Sequence, residues 1–145
     1  MAITALPSPP KHFWVVLTLA AVWNGFGLYD WMMSMGGEAY YRAAGFNDAQ
    51  VAYQLGFPVW MQTAWSIGVW LSVLGTVLLL LRRKEASTAF GVALVCALFS
   101  VAYQNLIVPG WPIMGAMTAM SWVIAAVCAG LTAYSVWMTK RGVFR

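Results

Sequence analysis

The chain has 145 residues, of which 62% are hydrophobic and 8% are charged, and its formal net charge is +4. Soluble domains carry roughly 25% charged residues, so eight basic and four acidic side chains cannot cover a water-soluble globule of this length. The composition excludes a soluble monomer and indicates that the lipid bilayer is the main partner of the surface.

Four apolar runs follow one another along the chain, each close to the roughly 20 residues that a helix needs to cross a bilayer. They cover residues 13–33, 59–81, 86–108 and 113–138. The runs are continuous and do not alternate, which excludes strands of a membrane barrel. Pro58 and Pro112 stand near the starts of the second and fourth runs, where a residue without a backbone N–H is tolerated. The sequence predicts an all-α polytopic membrane protein, one domain over residues 1–145 with four transmembrane helices in an antiparallel bundle.

Residues 34–57 form the only sizeable segment that we predict outside the membrane. Asn47 and Gln50 have the spacing of a capping box, and an apolar stripe follows them up to Gly56. This pattern predicts a short interfacial helix on the outer surface. Residues 38–42 favour another helical turn leading into it. The segment is then either a connector between spans or a lid over an outward-facing pocket.

Seven of the eight basic residues fall on one side of the predicted spans: Lys11, Arg82, Arg83, Lys84, Lys140, Arg141 and Arg145. Arg42 alone lies on the other side. The positive-inside rule therefore predicts that both termini are cytoplasmic. The first run has no clean small-residue cleavage site, so we expect it to be retained as a span. Because topology explains the basic clusters, we expect no nucleic-acid partner.

Polar side chains gather in the outer halves of the predicted spans. Asp30 is the one carboxylate near an apolar run, and intramembrane ionisable groups are functional candidates. Gln62, Gln104 and Asn105 fall at similar depth on other spans, with Asn24 deeper. Two interpretations remain: hydrogen bonds that stabilise helix packing, or a water-accessible vestibule that opens outward and binds a ligand.

Methionines show an uneven distribution, since seven of the nine fall on the predicted outer side. Met114, Met117 and Met120 recur at intervals of three residues. Thioethers suit Cu(I), but methionine is also a flexible filler of apolar gaps. No His or Cys accompanies this group on that side, which leaves Cu(I) binding as a minor alternative. Cys96 and Cys128 are predicted at one common depth deeper in the membrane.

The sequence contains no phosphate-binding loop, no nucleophile elbow and no zinc-protease motif. We therefore expect no enzymatic activity and no cofactor. Small residues form stripes on three spans, which would let helices pack closely. A single four-helix bundle encloses little volume, so we expect a homo-oligomer or a place in a larger membrane complex. A structural or assembly subunit is the alternative function.

Three motifs carry a family resemblance: Trp23-Asn24-x-x-Gly27-x-x-Asp30-x-Met32, Phe57-Pro58-x-Trp60, and a later stretch from Val69-Trp70 to Arg82-Arg83. Over residues 1–85 the chain resembles small four-helix bacterial inner-membrane proteins that are often labelled sugar transporters. The resemblance implies transport of a small polar solute, with Asn24, Asp30 and Trp60 at the matching positions. Small multidrug transporters have a similar size but carry a membrane-embedded Glu in helix one. This chain lacks it, which argues against proton-coupled drug export.

Overall fold

The computed structural model describes residues 7–145. Within this range all regular elements are helical and no strand occurs, which confirms the all-α prediction. The helices are α1 (Lys11–Ser34), α2 (Glu38–Ala43), α3 (Asp48–Leu55), α4 (Val59–Leu80), α5 (Ala86–Ala102), α6 (Trp111–Met114) and α7 (Met120–Lys140). A π-helical turn (Tyr103–Ile107) follows α5, and a 3₁₀ turn (Gly115–Ala119) joins α6 to α7.

Four helical stretches are long and apolar enough to cross a membrane, with mean hydropathies between 1.2 and 1.8. They are Lys11–Ser34, Val59–Leu80, Ala86–Ile107 and Trp111–Lys140. Large apolar side chains face outward on all four; Phe26 on α1, for example, is 68% exposed. Helices with apolar residues all round are typical of membrane spans. The structure is therefore compatible with a multi-pass membrane protein.

Helix α5 packs against both α4 and α7, and α1 packs against α4. Two glycines on α4 allow the close approach to α5. A Cβ atom at Gly75 would lie 2.8 Å from the ring of the fully buried Phe90, and one at Gly68 would lie 3.1 Å from the Cβ of Cys96. The small residues on α4 thus serve packing within the chain.

We call the two ends of the bundle the terminal end, which carries the start of α1, the α4–α5 turn and the last residues, and the loop end, which carries α2 and α3. All four long helices meet in one apolar core at the terminal end, where Phe13, Leu79, Phe90 and Met138 are fully buried. The Nδ1 atom of His12 lies 3.0 Å from the hydroxyl of Tyr134, which joins α1 to α7 there. The terminal end is the closed end of the bundle.

Residues 141–145 fold back onto the α4–α5 turn. Val143 and Phe144 are buried, and Phe144 packs edge-to-face on Phe13 with ring centres 6.0 Å apart. The backbone N–H of Arg145 donates to the carbonyl of Arg82 at 3.1 Å, and the Arg82 guanidinium donates to the carbonyl of Val143 at 3.0 Å. These contacts seal the terminal end.

The third span departs from the uninterrupted helix predicted over residues 86–108. The α-helix ends at Ala102, and a π-helical turn continues it to Ile107. The N–H of Val108 donates to the carbonyl of Tyr103 at 2.8 Å, five residues back. Such wide turns are rare and occur often at functional sites. Hydropathy does not detect them, because they change hydrogen-bond register and leave the composition unchanged.

The fourth span, predicted as one helix over residues 113–138, is interrupted. It begins at Trp111, with Pro112 in the first turn as expected, and α6 ends at Met114, followed by Gly115. Gly115 has a φ of 56°, a conformation that glycine adopts at no steric cost. A 3₁₀ turn follows before α7 resumes. Hydropathy does not detect the interruption, because a single glycine inside an apolar run leaves the mean hydropathy high.

The short helix predicted in the loop is confirmed as α3. Asn47 and Gln50 form the expected capping box: the Gln50 N–H donates to the Asn47 side chain at 3.0 Å, and the Asn47 N–H donates back to the Gln50 side chain at 3.1 Å. The hydroxyl of Tyr53 donates to the carbonyl of Val108 at 2.9 Å. Helix α3 is therefore held against the segment that connects the last two spans.

Candidate functional site

A cavity of about 510 Å³ lies between α1, α4, α5 and α7, toward the loop end. Its wall runs from Cys96 and Cys128, near the middle of their helices, up to residues of α2. Seven aromatic side chains line it: Trp23, Phe26, Tyr40, Tyr41, Phe46, Phe57 and Trp65. A volume of 300–1,000 Å³ with an apolar and aromatic wall is typical of small-molecule sites.

Polar groups are few in this cavity and are spread over its wall. Besides the tyrosine hydroxyls and two thiols, they are Asn24, Asp30, Gln54, Ser72, Ser100, Gln104 and Ser121. Among the described residues, no Lys, Arg or His lines the cavity. Asp30 is the only carboxyl group that the described part of the chain places in the wall, so any charge from these residues is negative.

Asp30 is held by a tyrosine that the chain brings back from the loop. The Tyr40 hydroxyl donates to Oδ1 of Asp30 at 2.5 Å. This hydrogen bond, with a smaller contribution from burial, raises the pKa of Tyr40 to about 12. The phenol therefore remains a donor at neutral pH, and it fixes the orientation of the Asp30 carboxyl group.

The other acidic side chains in the described range are paired with arginines. Arg42 contacts Glu38 at 2.6 Å and Asp48 at 2.7 Å, and all three lie on the exposed loop surface. Glu85 pairs with Arg83 at the terminal end. Within residues 7–145, no salt bridge reaches Asp30. Among residues 7–145, Asp30 is thus the one acid that lines a cavity and lacks a basic partner.

Asn24 lies deeper in the cavity wall and joins α1 to α4. Its Nδ2 donates to the Thr76 hydroxyl at 2.8 Å, and that hydroxyl donates to the Ser72 carbonyl at 2.9 Å. Asn24 is only 7% exposed. This contact matches the packing interpretation of Asn24, and the residue also lines the cavity.

Gln104 lines the cavity from the π-helical turn. Its backbone carbonyl accepts from the N–H of Gly110 at 2.8 Å, which fixes the turn. The neighbouring Asn105 faces elsewhere: its Oδ1 accepts from the indole N–H groups of Trp111 at 3.0 Å and Trp122 at 3.4 Å. Adjacent residues on a helix point in different directions, so only one of this predicted pair reaches the cavity.

Trp60 and Gln62 also lie outside the cavity wall. Trp60 is 49% exposed and packs edge-to-face on Tyr103 with ring centres 5.6 Å apart. Gln62 donates from Nε2 to the carbonyl of Phe57 at 2.8 Å, which satisfies a backbone group at the start of α4. The intervening Met61 is the residue that lines the cavity.

Six sulfur-bearing side chains line the same cavity: Met61, Cys96, Met114, Met117, Met120 and Cys128. The three methionines of the predicted stripe therefore line one cavity, and Met61 on α4 is a fourth. In the described part of the chain, no group of three or more His, Cys, Asp or Glu side chains could hold a metal ion. Thioethers and thiols are the only soft ligands at this site.

The aromatic residues of the loop are the part of the site that sequence reasoning missed. Tyr40, Tyr41 and Phe46 reach the cavity because the chain reverses after α1 at Gly37, whose φ is 60°. The Gly36-Gly37 pair followed by a Tyr-Tyr pair was the available signal. The segment predicted as either connector or lid therefore forms part of the cavity wall.

Comparison of the chain with protein-family models, with curated proteins and with solved structures found no match.

Proposed function

We propose that this protein is a multi-pass membrane protein that binds a small solute in the cavity at its loop end. The observation that carries the proposal is the cavity itself, which lies between four apolar helices and contains a carboxyl group oriented by Tyr40. A mostly apolar pocket with a few convergent polar groups is the usual form of a binding site. The resemblance to the four-helix family implies the same class of function, transport of a small solute.

An antiparallel bundle in the bilayer is part of the proposal. The Trp31 indole N–H donates a hydrogen bond to the Ser66 hydroxyl. Asn24, which lies about two turns earlier on α1, donates to the Thr76 hydroxyl. Residue numbers thus rise along α1 as they fall along α4. The exposed apolar side chains on every long helix support contact with lipid, because water would make such a surface costly.

We propose the bacterial inner membrane as the location, with both termini in the cytoplasm. The seven basic residues counted above belong to the terminal end, at the start of α1, in the α4–α5 turn and after α7. The positive-inside rule then places the cavity on the outer side. Because Asp30 is the only carboxyl group among the described lining residues, passive binding or passage is favoured over ion-coupled pumping.

The test is a screen of solutes with the full-length protein in proteoliposomes, followed by melting temperature and uptake. A bound solute should raise the melting temperature further as its concentration increases above Kd, and the Asp30→Asn variant should lose most of that rise. Asp48→Asn is the matched control, since Asp48 is exposed and lies outside the cavity. If no solute stabilises the protein, or if both variants respond as the parent does, the proposal fails.

A second candidate function is Cu(I) binding, favoured by the six sulfur-bearing side chains in the cavity wall. Soft sulfur ligands select Cu(I) over harder ions. The candidate predicts that the reduced protein retains Cu(I) through desalting and that Met117→Leu abolishes retention. Met32→Leu, at an exposed position outside the cavity, is the control. A protein that retains no Cu(I) would end this candidate.

The alternative of a structural or assembly subunit, or of a homo-oligomer, has one feature in its favour. A shallow apolar groove of about 290 Å³ runs between α1 and α7, and a Cβ atom at Gly130 in its floor would meet no neighbour. Exposed small residues allow close contact with another helix. This alternative predicts that the protein co-purifies with larger polypeptides after mild solubilisation. A stable monomer or homo-oligomer that purifies alone would argue against the subunit role.

A further inference from the structure

The charges around the cavity restrict the chemistry of its ligand. Asp30 is the only ionisable carboxyl group in the wall, and no basic side chain among residues 7–145 lines the cavity or pairs with it. Oδ1 accepts from Tyr40, and no donor within the described range is recorded on Oδ2. Asp30 is half-buried, and a carboxylate without a basic partner in the wall of an apolar cavity attracts positive charge. A cationic ligand would supply that charge.

The aromatic wall adds a second restriction. Tyr40, Tyr41 and Phe46 approach from the loop, while Trp23 on α1 and Trp65 on α4 line the same space. Cations are attracted to the faces of aromatic rings, most strongly to Trp, and aromatic cages are the usual sites for quaternary ammonium groups. The rings also bury the apolar part of a ligand.

A neutral sugar fits this wall less well. Each sugar hydroxyl needs a hydrogen-bond partner when it leaves water, and several polar groups of the wall already have partners in the protein. The Asn24 amide donates to Thr76, and the Ser121 hydroxyl donates to the Thr118 carbonyl. Gln54, Ser100 and Gln104, whose side chains have no hydrogen-bond partner in the described range, come from three different elements.

We infer that the ligand is an organic monocation, with its charge beside the Asp30 carboxyl group and its apolar part against the aromatic wall. This inference rests on the proposed solute-binding function and names the class of solute. A cation of this kind needs no coordinating water or metal, and its size is limited by the volume of about 510 Å³.

The test uses two probes of the same shape and opposite charge, tetraphenylphosphonium and tetraphenylborate, with glucose as a neutral polar probe. Each is titrated calorimetrically into the full-length protein in nanodiscs, and empty nanodiscs correct for partition into lipid. We expect saturable binding of tetraphenylphosphonium alone. Asp30→Asn should weaken it at least about tenfold, while Asp30→Glu retains most of the affinity and Asp48→Asn all of it.

The outcomes separate this inference from the function on which it rests. Saturable binding of glucose or tetraphenylborate without binding of tetraphenylphosphonium would overturn the cation inference and leave solute binding intact. Equal binding of the two ions by the parent protein would also overturn it, whether or not the Asp30 variants fold. If none of the probes binds and no solute in the screen stabilises the protein, both proposals fail.

Discussion

The contact between Asp30 and Tyr40 joins two elements, since Asp30 lies near the end of the long apolar helix α1 and Tyr40 lies in the short helix α2 that follows it. The sequence singled out Asp30 because carboxyl groups are rare near apolar runs. It did not single out Tyr40, because their contact depends on how Gly37 reverses the chain. The same limit applies to Gln104 and Asn105: both are polar and at the same depth, but helix geometry decides which one faces the cavity.

Replacing Tyr40 with Phe should lower stability by about 1 kcal/mol, because the Asp30 carboxyl group loses a hydrogen bond. The pH dependence tests the contact separately. The folded-state pKa of Tyr40 is about 12, above its ordinary value of 10.0. Folding therefore favours the neutral phenol, and this stabilisation is complete below pH 10 and is lost as the pH rises toward 12.

Melting temperatures measured across this alkaline range, together with the ultraviolet absorbance of phenolate, check the prediction. Burial also raises the pKa values of Tyr41 and Tyr53, so the readout is the difference between variant and parent. Tyr40→Phe should remove one late-ionising tyrosine from the titration and reduce the loss of stability between pH 10 and pH 12. Tyr29→Phe, at a position that is 56% exposed, is the control and should leave the late ionisation in place. If Tyr40→Phe contains as many late-ionising tyrosines as the parent, the contact is contradicted.

At the scale of elements, predictions that depended on local patterns succeeded and those that depended on hydropathy alone were incomplete. The capping box of α3 was predictable because Asn47 and Gln50 satisfy each other within one turn. The break at Gly115 was not, since glycine also occurs inside regular helices, as Gly68 and Gly75 do on α4. Only the backbone conformation distinguishes these glycines.

Gly115→Ala should therefore destabilise the protein by on the order of 1–3 kcal/mol, because a side chain at a φ of 56° is strained. The matched control is Gly130→Ala in the regular part of α7, where a Cβ atom meets nothing within 4 Å. That substitution should be neutral or stabilising by up to about 1 kcal/mol. The free energy of unfolding of both variants is measured by titration with a denaturing detergent. Equal changes in stability would contradict the helix break at Gly115.

At the scale of the whole molecule, the two ends of the bundle differ in how tightly the helices pack. The terminal end is closed by a shared apolar core and by residues 141–145, whereas the loop end contains the cavity. Composition and hydropathy predicted four apolar helices because lipid imposes the same requirement on every span. They could not predict a cavity, because its volume depends on how four helices and the loop separate in space.

Topology reporters test the orientation that we propose for these ends. A fluorescent protein fused after Arg145 should be fluorescent and alkaline phosphatase at the same position inactive, because the basic terminal end stays in the cytoplasm. Phosphatase inserted at Gly45, in the exposed connection between α2 and α3, should be active. The opposite pattern of activities would place the cavity on the cytoplasmic side.

The most direct measurement of solute binding in the cavity is the alkylation rate of the Cys128 thiol, which lines its deep part. It is measured in a Cys96→Ala background, with and without the solute that most raises the melting temperature. A cysteine introduced by Ala49→Cys, on the exposed surface of α3, is the control thiol. If the solute binds in the cavity, it slows alkylation of Cys128 and leaves the control unchanged. If it raises the melting temperature but leaves both rates unchanged, it binds elsewhere and the cavity is not the site.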